Sequence, residues 1–318
     1  MRRLRAYAVR LMMIWLLVVA TTSAPAAGAE ARRPAPTFEN VAYGPHERNV
    51  LDLWQAPSDR PTPLLIFIHG GGFVNGDKKG VRGNPELKHC LEQGVSFASI
   101  NYRFRDSAPI QDILRDAARA VQFIRSKASD WNIDRERIAS YGGSAGAGTS
   151  LWLAFHDDLA DPKSDDPVLR ESSRLRAAGS LNGQVSYDLR DWEGVVGHKF
   201  QRSESELLSF YGFASEADMT SPAGDRTMKD CSMLGLISAD DPAVAVACSL
   251  PADDPQNRGD FVHHPKHSIA IAERCKQMNV PCLLVLHADE PDRVSQSAKV
   301  VAYLLEKLGK TDTSPASK

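Results

Sequence analysis

The chain has 318 residues, of which 42% are hydrophobic and 25% charged, and this suits one large globular domain or two small ones. The formal net charge at pH 7 is -2. It becomes -6 without the first 29 residues, because 34 basic residues then face 40 acidic ones. A mildly acidic chain argues against a general nucleic-acid or anionic-membrane binder.

The first 29 residues have the pattern of an export signal. Four arginines precede or flank the start of a short apolar run, LMMIWLLVVA, which is followed by the small residues TTSAPAAGA. This predicts a signal peptide cut after Ala29, a secreted or periplasmic protein and no membrane span after cleavage. An uncleaved N-terminal anchor is the alternative interpretation.

Strands and helices alternate over most of the remaining chain. Two strands are expected around the turn at Gly44-Pro45. Further strands are predicted at 63–69, 95–102, 137–143, 176–184, 243–250 and 282–287, and helices at 109–128, 148–156, 267–278 and 295–308. This alternation predicts an α/β domain with a mostly parallel sheet.

Three parts of the chain are assigned from composition and order. The domain is expected to span 38–310. The stretch 188–240 breaks the alternation and holds five aromatic residues among charges, so it is predicted to be a cap-like insertion over the sheet. The last residues, 311–318, are polar and are predicted to be a disordered tail.

The most specific motif is YGGSAGAG at 141–148, which contains G-x-S-x-G between a predicted strand and a predicted helix. That context identifies a nucleophile elbow, in which a sharp turn exposes the oxygen of Ser144 above the sheet. The amide of Ala145, at the helix start, can donate to an oxyanion. A glycine-rich helix start that binds an anion, or nothing, is the alternative.

A second glycine motif, HGGGF at 69–73, follows the predicted strand PLLIFI. Its glycines let the backbone approach a ligand closely, and the amides of Gly71 and Gly72 could complete an oxyanion hole. The stretch lacks the G-x-G-x-x-G pattern of a dinucleotide site. Together the two motifs predict a serine hydrolase.

These motifs, with YGPHERNVLDLW, INYRF and AVQFIRSKASDWNID, make the chain resemble the α/β-hydrolases of the hormone-sensitive-lipase-like and bacterial feruloyl-esterase-like (BD-FAE) type. The resemblance covers residues 38–160 and resumes more weakly from about 240. It implies an α/β-hydrolase fold with helices on both faces of the sheet. It also implies a triad acid after the seventh strand and a histidine about five residues after the eighth.

The triad acid can be counted in two ways after the strand at 243–250. Counting forward from the strand favours Asp254, and counting back from the next helix favours Asp260. We take Asp260 as the predicted acid, with Asp254 and Asp253 as alternatives. A register in which 282–290 is the seventh strand would make Asp289 or Asp292 the acid, but it leaves the strand at 243–250 without a role.

The position that the resemblance assigns to the histidine holds Asp292, which is a poor base because an ordinary aspartate has a pKa of about 3.9. Asp292 is expected to cap the final helix instead. His267 is expected to begin a helix. His263, His264 and His287 remain as candidate bases, and each could also be a cap or a surface imidazole.

The sequence therefore predicts a serine carboxylic-ester hydrolase that needs no cofactor and acts on a small-molecule ester with a small or aromatic acyl group. The acyl preference follows from the resemblance alone. Two alternatives stay open: a protein of this fold that binds a ligand without turning it over, and a peptidase or amidase. The five cysteines match no metal motif, and His263-His264 is a weak metal signal. The oligomeric state, the disulfide pairing and the natural substrate are left open.

Overall fold

Alternating side chains along the central strands bury both faces of a sheet. In the computed structural model, which describes residues 34–199 and 202–309, Leu64, Ile66 and Ile68 belong to one hydrophobic cluster, and Leu65 with Phe67 to the other. Successive residues of a strand point to opposite faces, so a continuous apolar run such as 63–68 requires cover on both sides. The expected signal peptide and the expected tail at 311–318 lie outside the described residues.

The strands are Phe38–Ala42 (β1), Val50–Trp54 (β2), Thr62–Ile68 (β3), Ser96–Ile100 (β4), Ile133–Gly143 (β5), Ala177–Leu181 (β6), Ala243–Cys248 (β7) and Cys282–Leu286 (β8). They form one eight-stranded sheet in the order β1-β2-β4-β3-β5-β6-β7-β8. The second strand pairs antiparallel with the first and the fourth, and the remaining pairs are parallel.

Helices cover both faces of this sheet. A 3₁₀ helix spans Lys78–Gly83, and the α-helices are Pro85–Glu92 (α1), Ile110–Ser126 (α2), Ala145–Phe155 (α3), Asp191–Val196 (α4), Glu204–Tyr211 (α5), Glu216–Thr220 (α6), Pro222–Asp230 (α7), Met233–Leu236 (α8), Arg258–Val262 (α9), Pro265–Gln277 (α10) and Arg293–Leu308 (α11). Leu87 of α1 and Leu304 of α11 pack in one cluster. Ile113 of α2, Leu151 of α3 and Ile271 of α10 pack in the other.

The stretch predicted to be an insertion, 188–240, lies between β6 and β7 and contains the five short helices α4 to α8. The strand at 282–286 pairs with β7 as the eighth strand and ends the sheet. The alternative register, in which it is the seventh, is therefore wrong.

Parallel strands bring their carboxyl ends to the same edge of the sheet, where sites form in such folds. The glycine loop after β3, Ser144 after β5 and the connection between β7 and α10 all follow the carboxyl ends of parallel strands in this sheet. None of the helices within 34–199 and 202–309 has the length and apolar character needed to cross a membrane.

Candidate active site

Ser144 is the single residue between β5 and α3 and forms a sharp turn there. Its backbone has φ 52° and ψ -117°, a left-handed conformation that is costly for a residue with a side chain. The turn is held because the amide of Ser144 donates to the carbonyl of Leu181 at 2.9 Å. A Cβ at Gly142 or Gly146 would lie 2.3 Å or 2.0 Å from the carbonyl oxygen of Ile68, so glycine is required at both positions.

The imidazole that meets this serine comes from His263. The residue follows α9 directly, and its Nε2 lies 2.8 Å from Ser144 Oγ. Its Nδ1 lies 3.1 Å from the carbonyl oxygen of Gly259, one turn earlier in the same helix. A carbonyl only accepts, so Nδ1 carries the proton and donates to it. Nε2 is then free to accept the proton of the serine hydroxyl, which is the arrangement that a general base needs.

The surroundings of His263 favour its neutral form. Burial lowers the pKa of this imidazole below its usual value, and the nearby positive charge of Arg293 lowers it further. The hydrogen bond to the Gly259 carbonyl acts in the opposite direction by favouring the charged form. The net shift is downward, so His263 is unprotonated and able to act as a base at neutral pH.

Gly71, Gly72 and Ala145, the residues expected to supply oxyanion-hole amides, all line the cavity at Ser144. Ala145 is the first residue of α3, where an amide has no partner within the helix. Gly71 and Gly72 have φ 109° and 61°, and a Cβ on Gly71 would lie 2.1 Å from the carbonyl oxygen of Asn75. The loop after β3 thus depends on glycine to bring its backbone to the serine. Their assignment as an oxyanion hole stays a prediction.

The structure does not place Asp260 against the histidine. Its carboxylate accepts from the Gln256 amide at 3.0 Å and from Asn257 Nδ2 at 2.9 Å, because Asp260 lies in the first turn of α9 while His263 follows the last. No carboxylate of the described residues forms a hydrogen bond with His263; the Gly259 carbonyl takes that position. The expectation that Asp260 orients the base is therefore corrected.

The alternative acids also lie elsewhere. Asp254 is exposed and its carboxylate contacts His198 Nε2 at 3.1 Å. Asp253 accepts from His264 Nε2 through its backbone carbonyl, at 3.1 Å. Asp292 accepts from the amide of Ser295 at 2.7 Å and is the N-cap of α11, which is the role expected from the sequence.

The remaining candidate histidines have structural partners. His264 is the N-cap of α10, where its Nδ1 accepts from the Lys266 amide at 3.2 Å. His287 follows β8 and donates from Nδ1 to the carbonyl of Ser249 at 2.9 Å. Of the three histidines that the sequence left open, the structure brings His263 alone to Ser144. In the described part of the chain, no cluster of three or more His, Cys, Asp or Glu side chains could hold a metal ion.

The cavity at Ser144 has a volume of about 340 Å³. Its aromatic walls are Phe73 of the glycine loop, Tyr187 after β6, and Trp192 and Phe210 of the 188–240 stretch. Three guanidinium groups also line it: Arg105, Arg202 and Arg258. No sequence pattern links these arginines, because they come from three distant segments and only the fold brings them together.

The fold is that of the α/β-hydrolases, and comparison with known structures agrees. A truncated carbohydrate esterase from gut microbiota superimposes with a TM-score of 0.68 at 17% identity, covering 88% of this chain and 98% of that one. Esterase Est2 of Thermogutta terrifontis gives 0.64 at 20% identity, with 89% and 96% covered. Similarities at this level of identity establish the α/β-hydrolase fold.

The family is established by sequence. The BD-FAE family model matches residues 51–245, and the chain belongs to that family. The chain is 30% identical over 178 residues to the probable carboxylic ester hydrolase LipM of Mycobacterium tuberculosis, covering 51% of this chain and 41% of LipM. It is 30% identical over 145 residues to the probable isoprenylcysteine alpha-carbonyl methylesterase ICMEL2 of Arabidopsis thaliana, covering 45% and 34%. The matches thus span less than half the length of these curated relatives.

Proposed function

We propose that this protein is a carboxylic-ester hydrolase in which Ser144 is the nucleophile and His263 the base. The observation that carries the proposal is the 2.8 Å separation of Ser144 Oγ and His263 Nε2 on a nucleophile elbow. The names of the relatives, as ester hydrolases and esterases, support the same reaction class.

The reaction would follow the usual two steps. Ser144 Oγ attacks the acyl carbon while His263 Nε2 takes the hydroxyl proton, and the amides of Gly71, Gly72 and Ala145 stabilise the oxyanion. His263 then returns the proton to the leaving alcohol. In the second step a water molecule gives a proton to His263 and attacks the acyl carbon. His263 then passes that proton to Ser144 Oγ as the bond to the acyl group breaks, which releases the acid and restores both residues.

A small or aromatic acyl group is part of the proposal. A cavity of about 340 Å³ is near the lower end of the range for ligand pockets, and its aromatic walls can stack on a ring. The N-terminal pattern supports export, so we propose that the enzyme acts outside the cytoplasm.

A second candidate is a protein that keeps this fold and binds a ligand without hydrolysing it. The observation that favours it is the backbone carbonyl of Gly259 in the place where a triad has a carboxylate. A carbonyl fixes the tautomer of His263 as an acid would, but it carries no full charge to stabilise the imidazolium that forms during the reaction.

One experiment distinguishes the two candidate functions. The purified protein, Ser144→Ala and His263→Ala are incubated with p-nitrophenyl acetate and, separately, with a fluorophosphonate probe. We expect hydrolysis and covalent labelling by the unmodified protein, none above background by Ser144→Ala, and a loss of about a thousandfold or more in kcat for His263→Ala. A His287→Gln variant is the control, since His287 is also partly buried and hydrogen-bonded but does not meet Ser144. Equal, background-level signals in all four proteins would reject the hydrolase and favour the binding protein.

A further inference from the structure

Among the side chains that line the cavity at Ser144, the permanently charged ones are all positive. Arg105, Arg202 and Arg258 line it, and within the described ranges no aspartate or glutamate does. The chain as a whole is acidic, so this local excess of positive charge runs against its composition. We propose that the ester that binds here carries a carboxylate, on its acyl or its alcohol part, which the arginine side of the cavity recognises. This inference rests on the proposed ester hydrolysis.

Arg105 is the central residue of this proposed anion site. Its backbone amide donates to the Phe73 carbonyl at 2.8 Å, which ties it to the glycine loop. Its guanidinium lies 5.1 Å from the ring centre of Phe210, and no carboxylate in the described part of the chain forms an ion pair with it. Burial lowers the pKa of Arg105, which reflects the cost of removing its charge from water. An anion in the cavity would offset that cost.

The other two arginines are held in place beside it. Arg258 donates to Glu206 at 2.6 Å, and Arg202 lies 3.9 Å from the same carboxylate oxygen. Arg202 also stacks over the Trp192 ring at 4.6 Å. Glu206 is thus shared between two of the three arginines. Planar guanidinium groups bind carboxylates through paired hydrogen bonds, which gives geometric as well as electrostatic selectivity.

The neighbouring cavity shows that this charge pattern is local. It has a volume of about 620 Å³ and shares Leu189, Trp192 and Arg202 with the cavity at Ser144. Its lining also includes the carboxylates Glu193 and Asp225, so positive and negative groups are mixed there. Selectivity for an anion is therefore expected at the cavity next to the nucleophile.

The test compares esters of similar shape, of which one carries a negative charge and the other is neutral. For an anion on the acyl part, 4-nitrophenyl hemiglutarate is paired with 4-nitrophenyl methyl glutarate. For an anion on the alcohol part, 3-carboxyphenyl acetate is paired with 3-carbamoylphenyl acetate. The ratio of kcat/KM for the charged over the neutral ester is measured within each pair, after subtraction of the rate with Ser144→Ala.

The variants are Arg105→Gln, which removes the charge, and Arg105→Lys, which keeps it. Arg115→Gln is the matched control, because Arg115 is exposed on α2 and does not line the cavity. We expect the charged ester of one pair to be preferred by the unmodified protein. Arg105→Gln should lower that ratio by about tenfold, the scale of one charge-assisted hydrogen bond. Arg105→Lys should restore part of it, and Arg115→Gln should not change it.

The possible failures can be told apart. If the neutral esters are hydrolysed but neither charged ester is preferred, or if Arg105→Gln leaves the ratio unchanged, the anion site is rejected and the ester hydrolase stands. If no ester is hydrolysed, calorimetric titration of glutarate and of 3-hydroxybenzoate decides. Binding that weakens in Arg105→Gln would support the anion site without the hydrolase, and absence of binding would reject both.

Discussion

At the scale of single residues, the site pairs a serine with a histidine that is oriented by a carbonyl. Gly259 fixes the tautomer of His263, so one of the two tasks of a triad carboxylate is fulfilled. The other, stabilisation of the imidazolium, is not, and Arg293 opposes it. The base of the proposed enzyme should therefore have a low pKa. It would stay unprotonated at mildly acidic pH, but it would accept a proton from Ser144 less readily than a histidine of ordinary pKa.

The effect of Arg293 on His263 should be visible in the pH dependence of kcat/KM. The proposed ester hydrolysis needs neutral His263, so kcat/KM should fall as the pH drops through the pKa of this imidazole in the free enzyme. Arg293→Gln removes a positive charge that lowers this pKa. The pKa then rises, and the acid limb of the kcat/KM profile should move to higher pH. Arg293→Lys keeps the charge and should leave the limb near its original position.

Salt provides an internal check on the same prediction. Arg293 is exposed, so its effect on His263 is screened by added electrolyte. The separation between the acid limbs of the original protein and Arg293→Gln should narrow at high ionic strength. Superimposed profiles at low salt would show that Arg293 does not act on the base.

At the scale of secondary-structure elements, the five-residue helix α9 decides which side chain reaches Ser144. Asn257 is its N-cap and accepts from the Asp260 amide at 3.0 Å. His267 in α10 donates from Nε2 to the carbonyl of Phe261 at 3.1 Å, and its Nδ1 accepts from the Val185 amide at 3.4 Å. These contacts at both ends of α9 hold its C-terminus, and with it His263, over the nucleophile.

Asp260 is thus expected to affect the stability of α9 rather than the chemistry. Asp260→Asn weakens the contacts to Gln256 and Asn257 and removes a negative charge from the first turn of the helix, which should cost about 0.5–1 kcal/mol of unfolding free energy. Its kcat/KM should stay within about tenfold of the original, far from the roughly ten-thousandfold loss seen when a triad acid is replaced. Denaturant unfolding and steady-state kinetics measure the two effects. A collapse in kcat/KM with unchanged stability would restore Asp260 as the triad acid.

The sequence predicted the parts of the site that are local. The elbow at Ser144 and the glycine loop at Gly71 each lie within a few residues of a strand end, so pattern alone places them at the correct sheet edge. The base and its partner depend instead on how 249–264 folds. Counting residues from β7 or from α10 does not reveal the short helix α9, which places Asp260 in its first turn and His263 at its C-terminus. The position of that helix depends on contacts with residues distant in sequence, such as Val185.

At the scale of the whole molecule, two buried neutral histidines link folding to pH. His69, in the glycine loop, and His267, in α10, both have a pKa lowered to about 4. Burial is the largest cause for each, and Arg48 adds to it at His69. In the unfolded chain both return to a pKa of about 6.5. Between pH 6.5 and 4 the unfolded state therefore binds more protons, so each histidine lowers the free energy of unfolding as the pH falls.

Asp241 acts in the opposite direction over much of the same range. Burial raises its pKa to about 6, so below that pH the folded state holds a proton that the unfolded state lacks until about pH 4. Among these three groups, two histidines outweigh one carboxyl by one proton, which contributes a slope of about 1.4 kcal/mol per pH unit between pH 6 and 4, with stability lost on acidification. The lowered pKa values of His263 and His264 act in the same direction as those of the two histidines. Urea unfolding at several pH values measures this slope.

Replacement of one histidine isolates its share of the slope. His267→Gln has no titrating group at 267, so its unfolding free energy should depend less steeply on pH than that of the original protein, by about 1.4 kcal/mol per pH unit between pH 6 and 4. The variant will also be less stable at pH 7, because glutamine cannot repeat the two hydrogen bonds to Phe261 and Val185 with the same geometry. Parallel pH dependences for the original protein and His267→Gln would mean that His267 is protonated equally in the folded and unfolded states, and the link between acid and the placement of α9 would be lost.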